Sequence, residues 1–225
     1  MLAHFIADFP LQTDKIFALK SKYSWGVIVH GSIAGILGFV FAARYLKYPD
    51  IVGYLFLLWA THIIIDRVKL ILNKRMGKEN VYLFLSDQVI HLFLIFSVCQ
   101  TPNAKLPLPL NIPIIGKLCN SDLFVQYLIG YIIVTYVVMI LIFSLKSTFK
   151  KPASIPGVKK KLFEFTERGL ITTFVILGGI FYWLILICAV PRFVLSFKKD
   201  PTFEFYDVVL SLVLTLPVGF ILKII

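Results

Sequence analysis

The chain has 225 residues, of which 59% are apolar and 16% charged, with a mean hydropathy of +0.87. A soluble domain carries about 45–50% apolar and about 25% charged residues, so a water-soluble globule is excluded, and three cysteines are too few for a disulfide scaffold. The net charge of +11 comes from 23 Lys and Arg against 12 Asp and Glu; these cations lie mostly at the ends of apolar runs, where they face lipid headgroups, so nucleic acid is not the expected partner.

In chain order, segment 1–19 has a short apolar run interrupted by Asp8, Pro10 and Gln12, and it either spans, enters and returns, or lies partly in the interface. It lacks the basic start, clean apolar stretch and small-residue cleavage site of a signal peptide. Six longer runs follow at 26–46, 51–72, 80–98, 122–145, 169–190 and 206–222, each near the roughly 20 apolar residues that one crossing needs. The expected fold is all-α, a polytopic transmembrane helical bundle of six spans plus the short N-terminal segment. It forms one integral membrane domain over 1–225, with a His/Asp cluster in 1–100 and further helices in 122–225.

Orientation follows from Lys and Arg, whose excess stays on the cytoplasmic side. Segments 12–25, 67–80 and 146–168 with Lys223 hold sixteen cations, and the alternate set holds seven. Loops 67–80 and 146–168 are therefore expected in the cytoplasm and loop 100–121 outside a cell inner membrane. Cys99 and Cys119 bracket that outer loop and form either a disulfide or two separate thiols.

Three of the four histidines have an aspartate four residues away: His4 with Asp8, His62 with Asp66, and His91 with Asp87. With eight Asp in the chain, chance yields this on the order of once in a thousand, and the spacing places each pair on one helix face. The fourth, His30, stands beside Gly31 and Gly35, whose spacing lets another helix come close. Such groups are expensive in hydrocarbon, about 2.5–3.5 kcal/mol per central charge, so they are expected to face the bundle interior and one another. Counted from the cytoplasmic ends, His30, Asp66 and Asp87 lie in the inner part of their helices, with His62 and His91 nearer the middle. His4, Asp8 and Gln12 share one face of the first segment and close the cluster from the side.

Imidazoles and carboxylates on facing helices are how bundles build metal sites. The expected ligands are His4, His30, His62, Asp66, Asp87 and His91, holding a divalent metal such as Zn, Mn or Fe. Asp8 is the expected base, because its segment is short and broken at Pro10. Gln12 and Gln88 hydrogen-bond behind the ligands or simply join helices. The expected function is metal-dependent hydrolysis of a membrane-associated substrate, a phosphoester or lipid. Transport of protons or divalent cations is the alternative, and a structural or signalling role the third; membrane lipids are the expected surroundings in each case. Lys159-Lys160-Lys161 reads as a basic anchor on the anionic inner leaflet, and Glu167 with Arg168 as an ion pair where a helix begins. The chain has no Gly-rich phosphate loop, no nucleophile elbow and no internal repeat.

The run from Leu2 to Thr13 with His4, Asp8 and Gln12, the helix with His30, Thr61-His62 through Asp66-Arg67 to Lys69, and Asp87-Gln88 to His91 resemble an uncharacterised bacterial membrane-protein family, domain of unknown function 3307. That resemblance covers the first hundred residues. Glu167-Arg168, Arg192-Phe193 and Glu204-Phe205-Tyr206 resemble corresponding places in longer members, whereas Pro10 and Ala189-Val190-Pro191 depart from the pattern. The resemblance implies a grouping of residues and no reaction.

Overall fold

The computed structural model describes residues 1–108, 121–149, 157–197 and 205–225. Cys119, much of the outer loop and Glu204 lie outside the described residues. All regular structure among the described residues is helical, and four helices are long and apolar enough to cross a membrane: Ser24–Phe41, Val81–Cys99, Asp122–Phe149 and Phe205–Ile224. The chain divides into two compact units, Met1–Val125 and Gln126–Ile225.

The N-terminal unit starts with α1 (Leu2–Asp8) and α2 (Asp14–Lys22). At 1.5 Å per residue these 7- and 9-residue helices are each far shorter than the roughly 30 Å of a bilayer core, so segment 1–19 is not one spanning helix. The break falls where Pro10 removes a backbone donor, and Thr13 restarts the chain by accepting a hydrogen bond from the Ile16 N–H. Both short helices pack on α3 (Ser24–Phe41), with His4, Phe5, Ala7 and Asp8 buried.

Next comes α4 (Pro49–Met76), framed by Pro49 in its first turn and by Gly77, whose φ of 67° is the left-handed conformation that glycine adopts without penalty. A Cβ on Gly31 would strike Ile63 of α4, and one on Gly35 would lie 2.7 Å from the Trp59 ring. These two glycines therefore let α3 and α4 approach closely enough for His30 to face His62. Asn80 caps α5 (Val81–Cys99) by accepting from the Tyr82 N–H at 2.8 Å, and α5 packs on α4. At the far ends of these helices Asn103 donates to Asp50, and Arg44 donates to the Leu108 carbonyl.

The C-terminal unit holds most of α6 (Asp122–Phe149), then α7 (Val158–Leu177), α8 (Tyr182–Phe197) and α9 (Phe205–Ile224). A π-helical turn at Ile133–Val137 interrupts α6. The expected single helix over 169–190 is corrected: Gly178 and Gly179, at φ 67° and 57°, break it, because consecutive positive φ values are open to glycine and strained for other residues. The chain reverses there, so that Arg192 late in α8 pairs with Glu164 and Glu167 early in α7. Lys160 approaches Asp207 at the start of α9, while Lys223 at its end donates to Tyr182 beside the glycine break. Lys223 therefore lies at the opposite end of this unit from Lys160, which corrects the expectation that the two share a side.

Candidate functional site

Four helices of the N-terminal unit supply the buried polar cluster: α1 carries His4 and Asp8, α3 carries His30, α4 carries His62 and Asp66, and α5 carries Asp87 and His91. All seven side chains are buried. Their partners differ, however, and the differences assign them to separate roles.

At the centre His30 Nε2 and His62 Nε2 stand 3.4 Å apart, and Asp8 Oδ1 lies 3.4 Å from each. On the other side of the same histidine pair, Asp66 Oδ2 is 3.3 Å from His30 Nε2 and 3.7 Å from His62 Nε2. The histidine edge is thus shared by two triangles of potential ligand atoms, one completed by Asp8 and one by Asp66. Ligands around a tetrahedral ion with bonds of about 2.0–2.2 Å sit about 3.3–3.6 Å from one another, and both triangles are close to that size. The Asp66 triangle already has a cation against it, since Lys20 Nζ donates to Asp66 Oδ2 at 2.6 Å. In the Asp8 triangle the Oδ1 atom is buried with no hydrogen-bond partner among the described residues.

Around this centre, His4, Asp8, His62 and His91 each place a potential ligand atom within 4.8 Å of the others, as do His30, His62 and Asp66. The hydrogen bonds fix which nitrogens are available. His91 Nδ1 donates to the Asp87 carbonyl at 2.9 Å, which leaves its Nε2 as a lone-pair nitrogen, and that atom is buried without a partner among the described residues. His4 Nε2 donates to Gln88 Oε1 at 3.3 Å, which leaves Nδ1 as the lone-pair atom, 3.7 Å from Asp8 Oδ2.

Of the expected site residues, His4, Asp8, His30, His62, Asp66 and His91 come together. Asp87 sits 3.6 Å from His91 but outside both ligand groups, held by Lys69 Nζ at 2.7 Å and by Gln88 Nε2 at 3.0 Å. Gln88 lies between His4 and Asp87, joining helices α1 and α5. Gln12 contacts no cluster carboxylate; it accepts from Lys20 at 3.1 Å. Lys20 and Lys69 are the functional residues that sequence reasoning missed, having counted only as cations flanking helices. The signal for them was electrostatic: three carboxylates buried together need cations nearby. At the rim beyond the end of α4, burial raises the Glu79 carboxyl above its usual value against the opposing pull of Lys69 and Lys20, and Asn73 donates to it at 2.6 Å.

The C-terminal unit buries a second polar set. Arg192 donates to Glu167 at 2.9 Å and to Glu164 at 3.1 Å. Arg168 donates to Glu164, to Ser211 and to the Thr135 carbonyl within the π-helical turn. Lys146 donates to Asp207 at 3.0 Å. Glu167 and the Asp207 carbonyl, far apart in sequence, thus meet at the Arg192 guanidinium, the second at 3.4 Å, and the Phe193 ring lies 5.9 Å from that of Phe205.

Comparison with curated proteins and with solved structures finds no match. A family model described as "Protein of unknown function (DUF3307)" matches residues 1–111, the part that holds α1 to α5 and every residue of the cluster. The N-terminal region of this chain, residues 1–111, belongs to that family.

Proposed function

We propose that the N-terminal unit is a membrane-embedded metal-dependent hydrolase acting on a membrane-associated phosphoester or lipid, in a cytoplasmic membrane. The observation that carries this reading is the Asp8–His30–His62 triangle, three buried potential ligand atoms 3.4 Å apart in which Asp8 Oδ1 has no hydrogen-bond partner among the described residues. Asp8, His30 and His62 would hold a divalent ion and leave one position open, as catalytic zinc sites do. The bound ion would supply a water of lowered pKa and charge to polarise the scissile group. Asp8 then serves as a ligand in place of the base, and His91 takes the base role: its free Nε2 accepts the proton of the attacking water and returns it to the leaving oxygen as the ester bond breaks. Asp66, neutralised by Lys20, and Asp87, neutralised by Lys69, shape the field around this centre.

The charge balance supports an anionic substrate. Three carboxylates face two ammonium groups, so the carboxylates exceed the ammonium groups by one, and a divalent ion would reverse the sign of that balance. Transport is supported less. Contacts of 2.6–3.7 Å do run from Lys20 through Asp66, His30, Asp8, His4, Gln88 and Asp87 to Lys69. That chain starts and ends on lysines near the same ends of α3, α4 and α5, so it does not lead from one side of the unit to the other.

Elemental analysis of protein purified without chelator is the test. The expected result is about one divalent ion per chain, with affinity lowered more than about 100-fold in His62→Ala, since His62 belongs to both ligand groups. Metal binding that survives loss of both His30 and His62 sinks the assignment. For orientation, with loops 67–80 and 146–168 in the cytoplasm, a cysteine placed at Asn111 should label from outside and one at Lys159 from inside. The geometry of the C-terminal unit adds that one at Lys223 should label from outside too.

A further inference from the structure

The cluster adjoins a half-open cavity of about 380 Å³ lined by the N-terminal unit, and its lining narrows the substrate class. Resting on the metal-site reading above, we propose that this cavity holds the single hydrocarbon chain of an anionic lipid whose phosphate-type headgroup sits at His4, His62 and His91. At one end the cavity is lined by those three histidines; at the other it reaches Phe41, Tyr45 and Cys99, where α3 and α5 finish. The wall between is apolar, with Leu55, Leu58, Leu94 and Ile95 along it, and Thr61 turns its hydroxyl back to the Leu57 carbonyl. Three imidazoles thus stand at one end of a mostly apolar space, which also bears the Met1 amino group, the Trp59 indole and the Tyr45 hydroxyl, and an amphiphile with its head at the imidazoles fits that pattern.

Small residues on α3 make the space. Ala34, Gly35, Gly38 and Ala42 line it, and a Cβ added at Gly38 would meet nothing within 4 Å. Ligand clefts run from about 300 to 1,000 Å³, so a volume near the lower bound suits one chain better than two. Two of the lining helices, α3 and α5, are candidate membrane spans, so a lipid chain would pass from bilayer to cavity without meeting water. That transfer, hydrocarbon to hydrocarbon, contributes little affinity. Binding must therefore come from the headgroup, and the field of a divalent ion with Lys20 and Lys69 selects an anionic one.

The test uses the full chain in nanodiscs of zwitterionic lipid, with a hexadecyl phosphate carrying a diazirine at the chain terminus as the probe. Photolabelling is expected at Phe41, Tyr45 and Cys99, competed by unlabelled hexadecyl phosphate and not by hexadecanol. Gly38→Leu, which fills the cavity, should lower labelling at least tenfold while metal content stays unchanged; Ala34→Leu is the second filling variant should the first lose its metal by misfolding. Labelling that is equal in a filled variant and the parent, or is confined to outward-facing residues such as Phe93 and Phe96, overturns the proposal, and competition by hexadecanol overturns its anionic part. Labelling of the cavity in a protein that binds no metal overturns the metal reading and upholds the cavity; metal without cavity labelling does the reverse.

Discussion

In the N-terminal unit three buried carboxylates meet two lysines and four imidazoles; in the C-terminal unit Glu164, Glu167 and Asp207 meet two arginines and two lysines. Burying such groups is costly in both, and the residues chosen determine what remains available. A guanidinium has only donors, so Arg168 and Arg192 spend themselves on carboxylates, a hydroxyl and backbone carbonyls. A neutral imidazole has one donor and one lone pair, and where the donor is engaged, as in His4 and His91, the lone pair is left facing inward. The C-terminal network thus joins α6 to α9 through charged donors, whereas the N-terminal cluster keeps imidazole lone pairs facing inward.

The sharpest way to break this comparison is Arg192→Ala. It would take from buried Glu167 its 2.9 Å partner and from buried Glu164 one of its two guanidinium partners, and should cost about 3–5 kcal/mol of stability, read as a shift in unfolding of the purified protein. Metal content should not change, because every proposed ligand lies in the other unit. Adding Glu167→Gln to Arg192→Ala should recover part of the loss. If Arg192→Ala empties the metal site while the protein stays folded, the division of labour between fastening and site is wrong.

A smaller effect is expected from Lys20→Met. The Lys20 ammonium lies 2.6 Å from Asp66 Oδ2 and so repels any ion held by the adjoining histidines. Removing one unit of positive charge at such range should tighten divalent-ion binding on the order of 100-fold, measured by competition with a metal indicator. A weaker ion after Lys20→Met would mean instead that Lys20 aims Asp66 as a ligand, and the Asp66 triangle would replace the Asp8 triangle as the centre.

Much of the cluster was legible because its spacing is local. The i, i+4 pairs of His and Asp are fixed by helical periodicity, and Gly31 and Gly35 announce a close crossing, so the meeting of His30 with His62 needs only those two facts. What escaped depends on breaks and on distant partners. The Gly178–Gly179 reversal reads as continuous apolar sequence, since hydropathy counts side chains and not φ, and with it went the placement of Lys223. Lys20 escaped because a lysine at a helix end looks the same whether it faces a headgroup or Asp66, 46 residues away.

Gln88 offers the finest discrimination. Its Oε1 accepts from His4 Nε2 and its Nε2 donates to Asp87, so it sets which His4 nitrogen keeps a lone pair. If His4 contributes to the site through Nδ1, Gln88→Ala frees the ring to change tautomer and rotate, and metal affinity should fall about tenfold, the scale typical of a lost hydrogen bond behind a ligand. Gln88→Glu combined with Asp87→Asn keeps an acceptor for His4 without opposing two carboxylates and should retain most of the affinity, whereas an amide that merely joins helices α1 and α5 would leave metal binding untouched in both variants and reduce only stability. Equal metal affinity in Gln88→Ala and the parent would therefore remove His4 from the site and leave Asp8, His30, His62 and His91 as its working set.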